Sequence, residues 1–438
     1  MLVLRDEFRR AQVAVAALFC VLGLQYATWA ARLPELKARL ALTAADVGVL
    51  LLACGVGAAV SFPLVARLMT RLGARRLAGW SALGLVVALL ALSVAPSYPV
   101  ALGILFVDGV AVACLNVAMN AQGAALEARF RRATMAKLHA VFSGGSLGAA
   151  LLASGVSAMS PTLWVHFAVA AVVLILLVGF AWPRLLPDEP PRRPDPAAAP
   201  DGPPRRRRRW TTPTALTAWL CLAMVFGTVT EAAMNDWSAL YLSEVAHAPA
   251  SVAPLGIAVV STTMLLARLA ADRWRERWGD RAVVLAGAAL AATGLTLGLL
   301  AGGVVAALLG FACVGLGMAA VTPCLYVAAA REGAQALTLV AAMGTTGLLA
   351  GPPVIGFIAD ASSLVWGMGA VAASALLVAL CVAAIRWPAP AGGAVPAGAV
   401  DGSAGGTVPA GGAGGAVDGS AGGPQLDHRP RRAPARVA

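Results

Sequence analysis

The chain has 438 residues, 59% hydrophobic and 12% charged, with a formal net charge of +12. A soluble domain carries about twice that charged fraction because its surface faces water, so a sizeable soluble domain is excluded. The basic excess does not read as a nucleic-acid surface, since arginines and lysines form short clusters between apolar runs, without a basic stripe interleaved with aromatics.

A spanning helix needs about 20 mostly apolar residues. Such runs fall at 11–31, 46–69, 76–95, 97–126, 134–158 and 161–182, and resume at 214–243, 250–271, 281–301, 304–330, 336–360 and 363–386. The expectation is an all-α integral membrane protein with twelve transmembrane helices in two six-helix pseudo-symmetric halves, 1–182 and 214–387. The first run follows a basic start, is too long for a signal-peptide core and has no convincing cleavage site, so it reads as a retained span. Residues 183–213 are rich in Pro and Arg and read as a cytoplasmic basic linker, with Arg205 to Arg209 serving as a topology anchor or a lipid-binding patch. Residues 388–438 are low-complexity Gly, Ala and Pro, a composition that cannot bury enough apolar surface to fold.

Alternating the loops places all but three of the 33 Lys and Arg on one side. Only Arg32, Lys37 and Arg39 share the first loop of the other side. By the positive-inside rule both termini are expected to be cytoplasmic. Cys20, Cys54, Cys114, Cys221, Cys313, Cys324 and Cys381 all sit in apolar runs with no CxxC pair, so neither a disulfide framework nor a zinc site is predicted. His139, His166, His247 and His428 are scattered, with no HExxH, and no phosphate-binding GxxxxGK[ST] loop exists. An enzyme, an ATP-driven pump and a bound cofactor or metal are all disfavoured.

The two halves carry an internal repeat. The segment LVARLMTRLGARR (64–76) aligns with LLARLAADRWRERWGDR (265–281) when Arg67 is set on Arg268, an offset of 201 residues. The same offset pairs SGGSLGAA (143–150) with GTTGLLAG (344–351). A parallel duplication around a central cavity is the architecture this implies.

In a hydrocarbon layer polar side chains face the bundle interior, a cavity or a partner. At 100° per residue, Asp108, Asn116, Asn120 and Glu127 form one stripe on the fourth run. Asp108 lies about 16 Å from its external end; it reads either as a proton-titrating or substrate-contacting acid, or as a carboxylate in a structural pair. Glu127 reads as a structural partner of Arg129. On the seventh run Thr228, Glu231, Asn235 and Ser238 form one face, and Glu231 is the leading candidate for proton coupling. Asp236 and Trp237 read as interfacial anchors. Gln25, Thr28, Trp29 and Arg32 share a face of the first run, where an amide and an aromatic plane suit a hydroxylated ligand. Arg32 is expected to snorkel outward or to neutralise Glu231 or Asp236. On the fifth run His139 reads as a proton site or a structural hydrogen-bonder, beside Ser143 and Ser146. The run Ser143-Gly144-Gly145 with Gly148 permits close helix approach, and Gly351-Pro352-Pro353 should bend the eleventh run.

The loop Arg71-Leu72-Gly73-Ala74-Arg75-Arg76 resembles, in degenerate form, the signature of the major facilitator superfamily, with Thr70 where the motif has its acid and Ala66 where it has its leading glycine. The second copy keeps an acid, Asp272, next to Arg273. The resemblance implies that Arg71, Gly73, Arg75, Arg268 and Asp272 belong to a charged clasp on the cytoplasmic side that holds one conformation; Gly351 and Pro352, through the bend that proline imposes, read as gate-like elements. WAARLPELK (29–37), NVAMNAQGAALE (116–127), MAKLHAVFSGGSLGA (135–149), EAAMNDWSALYL (231–242) and GPPVIGFIAD (351–360) resemble the fucose-permease-like, MosC-like branch of that family.

What this implies is a secondary transporter working by alternating access, with a small polar solute such as a sugar or cyclitol as substrate. Gln25, Trp29, Asn116, Asn120 and Asn235 are expected to line the site, with protons coupled through Asp108, Glu231 and His139. The expected partners are substrate, membrane lipid and protons, with no nucleic acid, and the chain is expected to be a monomer. Drug/proton export, or a transporter fold serving as a sensor or partner, is the alternative.

Overall fold

The structure, a computed structural model, describes residues 2–132, 134–188 and 213–385. Most of the expected linker and all of the expected tail lie outside the described residues. Every regular element described is helical. In chain order they are α1 (Leu2–Ala30), α2 (Leu33–Leu40), α3 (Ala44–Val60), α4 (Phe62–Ser93), α5 (Tyr98–Phe130), α6 (Met135–Met159) and α7 (Leu163–Ala181). After a 3₁₀ turn at Trp182–Arg184 come α8 (Ala215–Glu244), α9 (Leu255–Ala301), α10 (Gly303–Met318), α11 (Val321–Glu332), α12 (Ala334–Ala361) and α13 (Leu364–Ala384).

Local chemistry fixes many of the ends. Thr43 caps α3 in a reciprocal pair with Asp46, which satisfies two orphan donors at once. Prolines stand in the first turns of α2, α4 and α5, where a missing N–H costs nothing. Glu127 was expected to pair with Arg129. Instead it accepts the backbone N–H of Thr134 and of Met135, the latter at 2.8 Å, and so holds the start of α6. Arg129 reaches Glu7 on α1. The free N–H groups of a helix start attract a carboxylate more directly than an exposed arginine does.

Among the described residues ten helices are long and apolar enough to cross a membrane, or eleven if α2 and α3, bent by 117°, make one span. That count falls short of the expected twelve because α4 and α9 each run on past a break. A straight helix as long as the 47 residues of α9 would measure about 70 Å against about 30 Å of hydrocarbon. Gly279 interrupts it at φ 80°, ψ 157°, and Gly73 interrupts α4 at φ 77°, ψ 167°. Glycine is needed at both points, since a side chain at such φ is strained. The two breaks sit in matching sequences, Arg71-Leu72-Gly73-Ala74-Arg75 and Arg277-Trp278-Gly279-Asp280-Arg281. Their spacing sets the repeat in this loop at 206 residues, correcting the offset of 201 that aligns Arg67 with Arg268.

Packing repeats in the same way. Helix α1 packs on α6 and α7, and α8 on α12 and α13; α4 packs on α5 and α7, and α9 on α10 and α13. The set α1–α7 meets the set α8–α13 chiefly where α3 lies on α12 and α6 on α9, with smaller contacts of α8 with α1 and α2. The α3–α12 crossing is close: a Cβ on Gly48 would stand 2.9 Å from the Pro352 carbonyl oxygen and from the Pro353 Cα. Proline in α12 therefore serves a contact, and the helix runs through both prolines as one element. Outward faces carry large exposed apolar side chains such as Val87, Leu176, Leu300, Val305 and Leu309. Large exposed apolar side chains in such number suit lipid better than water.

Candidate functional site

Near the middle of α8, Glu231 accepts a hydrogen bond at 2.9 Å from Arg268 of α9. The other guanidinium nitrogen of Arg268 stands 3.5 Å from the Ser143 hydroxyl on α6, which belongs to the opposite set. Both charged side chains keep partial exposure, 22% for Arg268 and 13% for Glu231. A charged pair at mid-helix depth needs a polar or hydrated space beside it. Alignment of the loops had placed Arg268 in a clasp at the membrane surface; it lies instead within the bundle.

The other predicted residues divide into two groups. Asn235 donates to the Glu231 carbonyl oxygen at 3.2 Å, one turn along the same face. Asn120 donates to the Asn116 carbonyl and side-chain oxygens at 2.8 and 2.9 Å, so the two amides on α5 form one unit. His139 is buried and stacks edge-on against Phe19, ring centres 4.9 Å apart. Gln25 and Trp29 lie farther from the arginine-rich face. Gln25 donates to Asp108 at 2.7 Å, and Trp29 packs edge-on against Tyr26 at 5.2 Å.

Two expectations for residues near that end are overturned. Asp236 and Trp237, read as interfacial anchors, are buried, and Asp236 accepts a hydrogen bond from the Tyr26 hydroxyl of the other set. Arg32, expected to snorkel or to meet an acid of α8, is fully buried within its own set. It bonds to Ser157, to the Pro161 carbonyl at 3.0 Å and to Glu35 at 3.3 Å. A guanidinium presents donors in a fixed fork, and here its two terminal nitrogens meet the Ser157 hydroxyl and the Pro161 carbonyl near the end of α6, with Glu35 as the counter-charge. Sequence position could neither single out Tyr26 nor place Asp236 in the interior, though each adjoins a residue that periodicity selected.

Ties between the sets gather at the end opposite the arginines. Among the described residues these are Tyr26 with Asp236, Lys37 with Glu244, and the Ser154 hydroxyl on the Ser251 carbonyl, while the Arg268–Ser143 contact crosses the seam at mid-helix depth. At the arginine-rich face the bonds run within each set. Gln122 donates to and accepts from the backbone of Leu186, both at 3.0 Å. Arg275 holds Asp280 at 2.8 Å, Arg281 reaches the Ala383 carbonyl, and Thr214 reaches Glu332.

The acid missing at Thr70 is supplied in space by Asp188, beyond α7. Its carboxylate accepts the Arg75 N–H at 2.8 Å and fills the space where a Gly73 side chain would stand. Arg71 is exposed. Asp272, expected to be the acid of the second copy, has a side chain 87% exposed and 3.4 Å from Arg275. Asp280, directly after the glycine break, is the enclosed acid there.

Comparison with known proteins agrees with this architecture. Residues 14–332 match the family model of the Major Facilitator Superfamily. An uncharacterised MFS-type transporter of Yersinia pestis is 35% identical over 389 residues, 85% of this chain and 95% of that one. The membrane protein MosC of Rhizobium meliloti is 32% identical over 365 residues, 80% of this chain and 84% of that one. Among solved structures, the nucleoside transporter NupG superposes with a TM-score of 0.65 at 14% identity, covering 86% of this chain and 98% of that one. FucP, solved in the outward conformation, gives a TM-score of 0.55 at 17% identity, covering 86% and 99%. At such identities the superpositions speak for the fold alone.

Proposed function

Because the chain belongs to the major facilitator superfamily, we propose that it moves a small polar solute through the seam between its two helix sets by alternating access. The observation that carries this is the Arg268–Glu231 pair with Ser143, part-exposed at mid-helix depth where α6, α8 and α9 meet. Asn235, Asn116 and Asn120 add amide groups that suit a hydroxylated solute, a sugar or cyclitol, and Gln25 and Trp29 extend the lining. Glu231, Asp108 and His139 are the groups proposed to couple protons. A large lipophilic substrate suits such a polar lining less well.

Ties concentrated at one end fit a conformer closed there and poised to open at the arginine-rich face. The positive-inside rule makes that face cytoplasmic, with both termini on it. Dividing α4 at Gly73 and α9 at Gly279, and joining α3 to the first part of α4, yields twelve spans in two sets of six. The Arg71–Arg75 loop, held by Asp188, the α3–α12 crossing at Pro352, and Gly351 against Val229 of α8 would then bias which face opens, with the protein acting as a monomer in the inner membrane.

The test is reconstitution in liposomes containing a pH dye, with sugars, cyclitols, nucleosides and lipophilic cations offered in turn. Solute-dependent proton movement that disappears in Glu231→Gln supports the proposal. Flux without proton movement removes the coupling, and no flux with any class favours a sensor or partner role.

A further inference from the structure

At the arginine-rich face, the short segment that follows α7 folds back over the start of α1. Leu185 and Leu186 are buried there, and Leu186 joins Phe8, Ala11 and Leu126 in a small apolar cluster separate from the main core. Gln122 of α5 bonds the Leu186 backbone as donor and as acceptor, and Asp188 accepts the Arg75 N–H of α4. The segment is thus fixed to three elements of its own set.

Between this segment and α1 lies a cavity of about 570 Å³. Ala11, Leu185 and Leu186 give it an apolar floor, and Glu7, Arg10 and Arg184 give it charge. The acid is already matched, since Glu7 pairs with Arg129. Arg10 and Arg184 are exposed and form no ion pair among the described residues. A surplus of positive charge therefore stands over apolar walls.

Arg184 also ends a stripe that faces lipid. Val172, Leu176 and Phe180 stand four residues apart on α7 and are 56%, 67% and 42% exposed. Four residues on, the Arg184 guanidinium lies 4.4 Å from the centre of the Phe180 ring and donates to the Phe180 carbonyl at 2.7 Å. That bond uses one of five guanidinium donors. From Val172 to Arg184 the rise is about 18 Å, against about 15 Å for half of the hydrocarbon core. The stripe has the length of one leaflet and leads to the cavity.

We propose that this cavity seats the headgroup phosphate of an anionic phospholipid between Arg10 and Arg184, with an acyl chain along Val172, Leu176 and Phe180. Guanidinium forks match phosphate oxygens, and only an amphipathic occupant satisfies the charged rim and the apolar stripe together. The chain's own continuation is a poor competitor: residues 189–212 hold seven arginines against three acids, so two further arginines repel it. The lipid also bears on the loop beyond. Leu186 and Asp188 belong to the segment on which the headgroup rests, and Asp188 fills the space beside Gly73. An occupied cavity stiffens the break in α4.

The test uses the full chain in detergent, titrated with phosphatidylglycerol, phosphatidylcholine or inorganic phosphate. Native mass spectrometry reads lipid retention, and backbone hydrogen exchange is followed over residues 183–188 and 71–77. Phosphatidylglycerol should be retained in preference to phosphatidylcholine and should slow exchange in both segments. Arg10→Gln and Arg184→Gln should each weaken retention about fivefold, the effect of one basic group near an anionic surface, and should remove the slowing. Arg273→Gln with Arg277→Gln takes two exposed charges from the same face of the other set and should leave both readouts as in the wild type. Should Arg184→Gln fail to fold, Arg10→Glu, at an exposed position of α1, carries the test. Equal retention of phosphatidylcholine, an equal loss in the Arg273 and Arg277 pair, or the same slowing with inorganic phosphate alone would overturn the proposal.

Discussion

Arg268 binds Glu231 at 2.9 Å within one helix set and reaches Ser143 of the other set at 3.5 Å. One side chain is thus both half of an ion pair and a link across the seam. Glu231→Gln should lower stability by about 1.5–3 kcal/mol, the range for a hydrogen bond to a charged group. Partial exposure of both partners keeps the loss toward the lower end. Glu231→Leu with Arg268→Met should recover most of that stability, since an apolar replacement of an enclosed pair is often neutral. Transport should stay lost. Thermal unfolding and liposome flux, measured on both single variants and the double variant, check this.

Gly48 allows α3 to lie against the backbone of α12. Gly48→Val would force its side chain into the Pro352 carbonyl, and neither backbone can yield cheaply. Overpacking of this kind costs about 1–3 kcal/mol, and it falls on the closed arrangement. The expected outcome is a protein more open at the end opposite the arginines. Faster maleimide labelling of Cys54, judged against a Cys54→Ser background, reads it.

Asp188 replaces in space the acid that the loop sequence lacks. Asp188→Ala should cost about 0.5–1.5 kcal/mol for the lost bond to the Arg75 N–H. Gly73→Ala should cost more, because its φ of 77° strains any side chain and the new methyl meets the Asp188 carboxylate. Combining the two should cost less than their sum, since removing the carboxylate relieves the clash. A double-mutant cycle on unfolding temperatures gives the coupling.

Arg32 is a buried cation with three partners. Arg32→Lys keeps the charge but cannot span Ser157, the Pro161 carbonyl and Glu35 together. Removing one partner of a buried ion pair costs about 3–5 kcal/mol, and Lys should recover less than half of the loss seen in Arg32→Ala. If Lys matched the wild type, the guanidinium geometry would have no part in holding α1 to α6.

Much of the fold was legible because its signals are local. Apolar length located the spans, the Arg clusters marked one face, and 100° periodicity put Glu231, Asn235, Asp108 and Asn116 on buried or part-buried faces. The resemblance to the major facilitator family followed from short motifs, and the family comparison agrees with it. Which groups met was a different matter. Arg268 looks like a loop arginine and pairs in the bundle; Asp236 looks like an anchor and accepts a hydrogen bond from Tyr26; the absent motif acid returns as Asp188. Each outcome joins residues far apart in the chain. Helical periodicity says which way a side chain points, but not which helix stands opposite. Only the packed bundle decides which buried charge or hydrogen bond has a partner in reach.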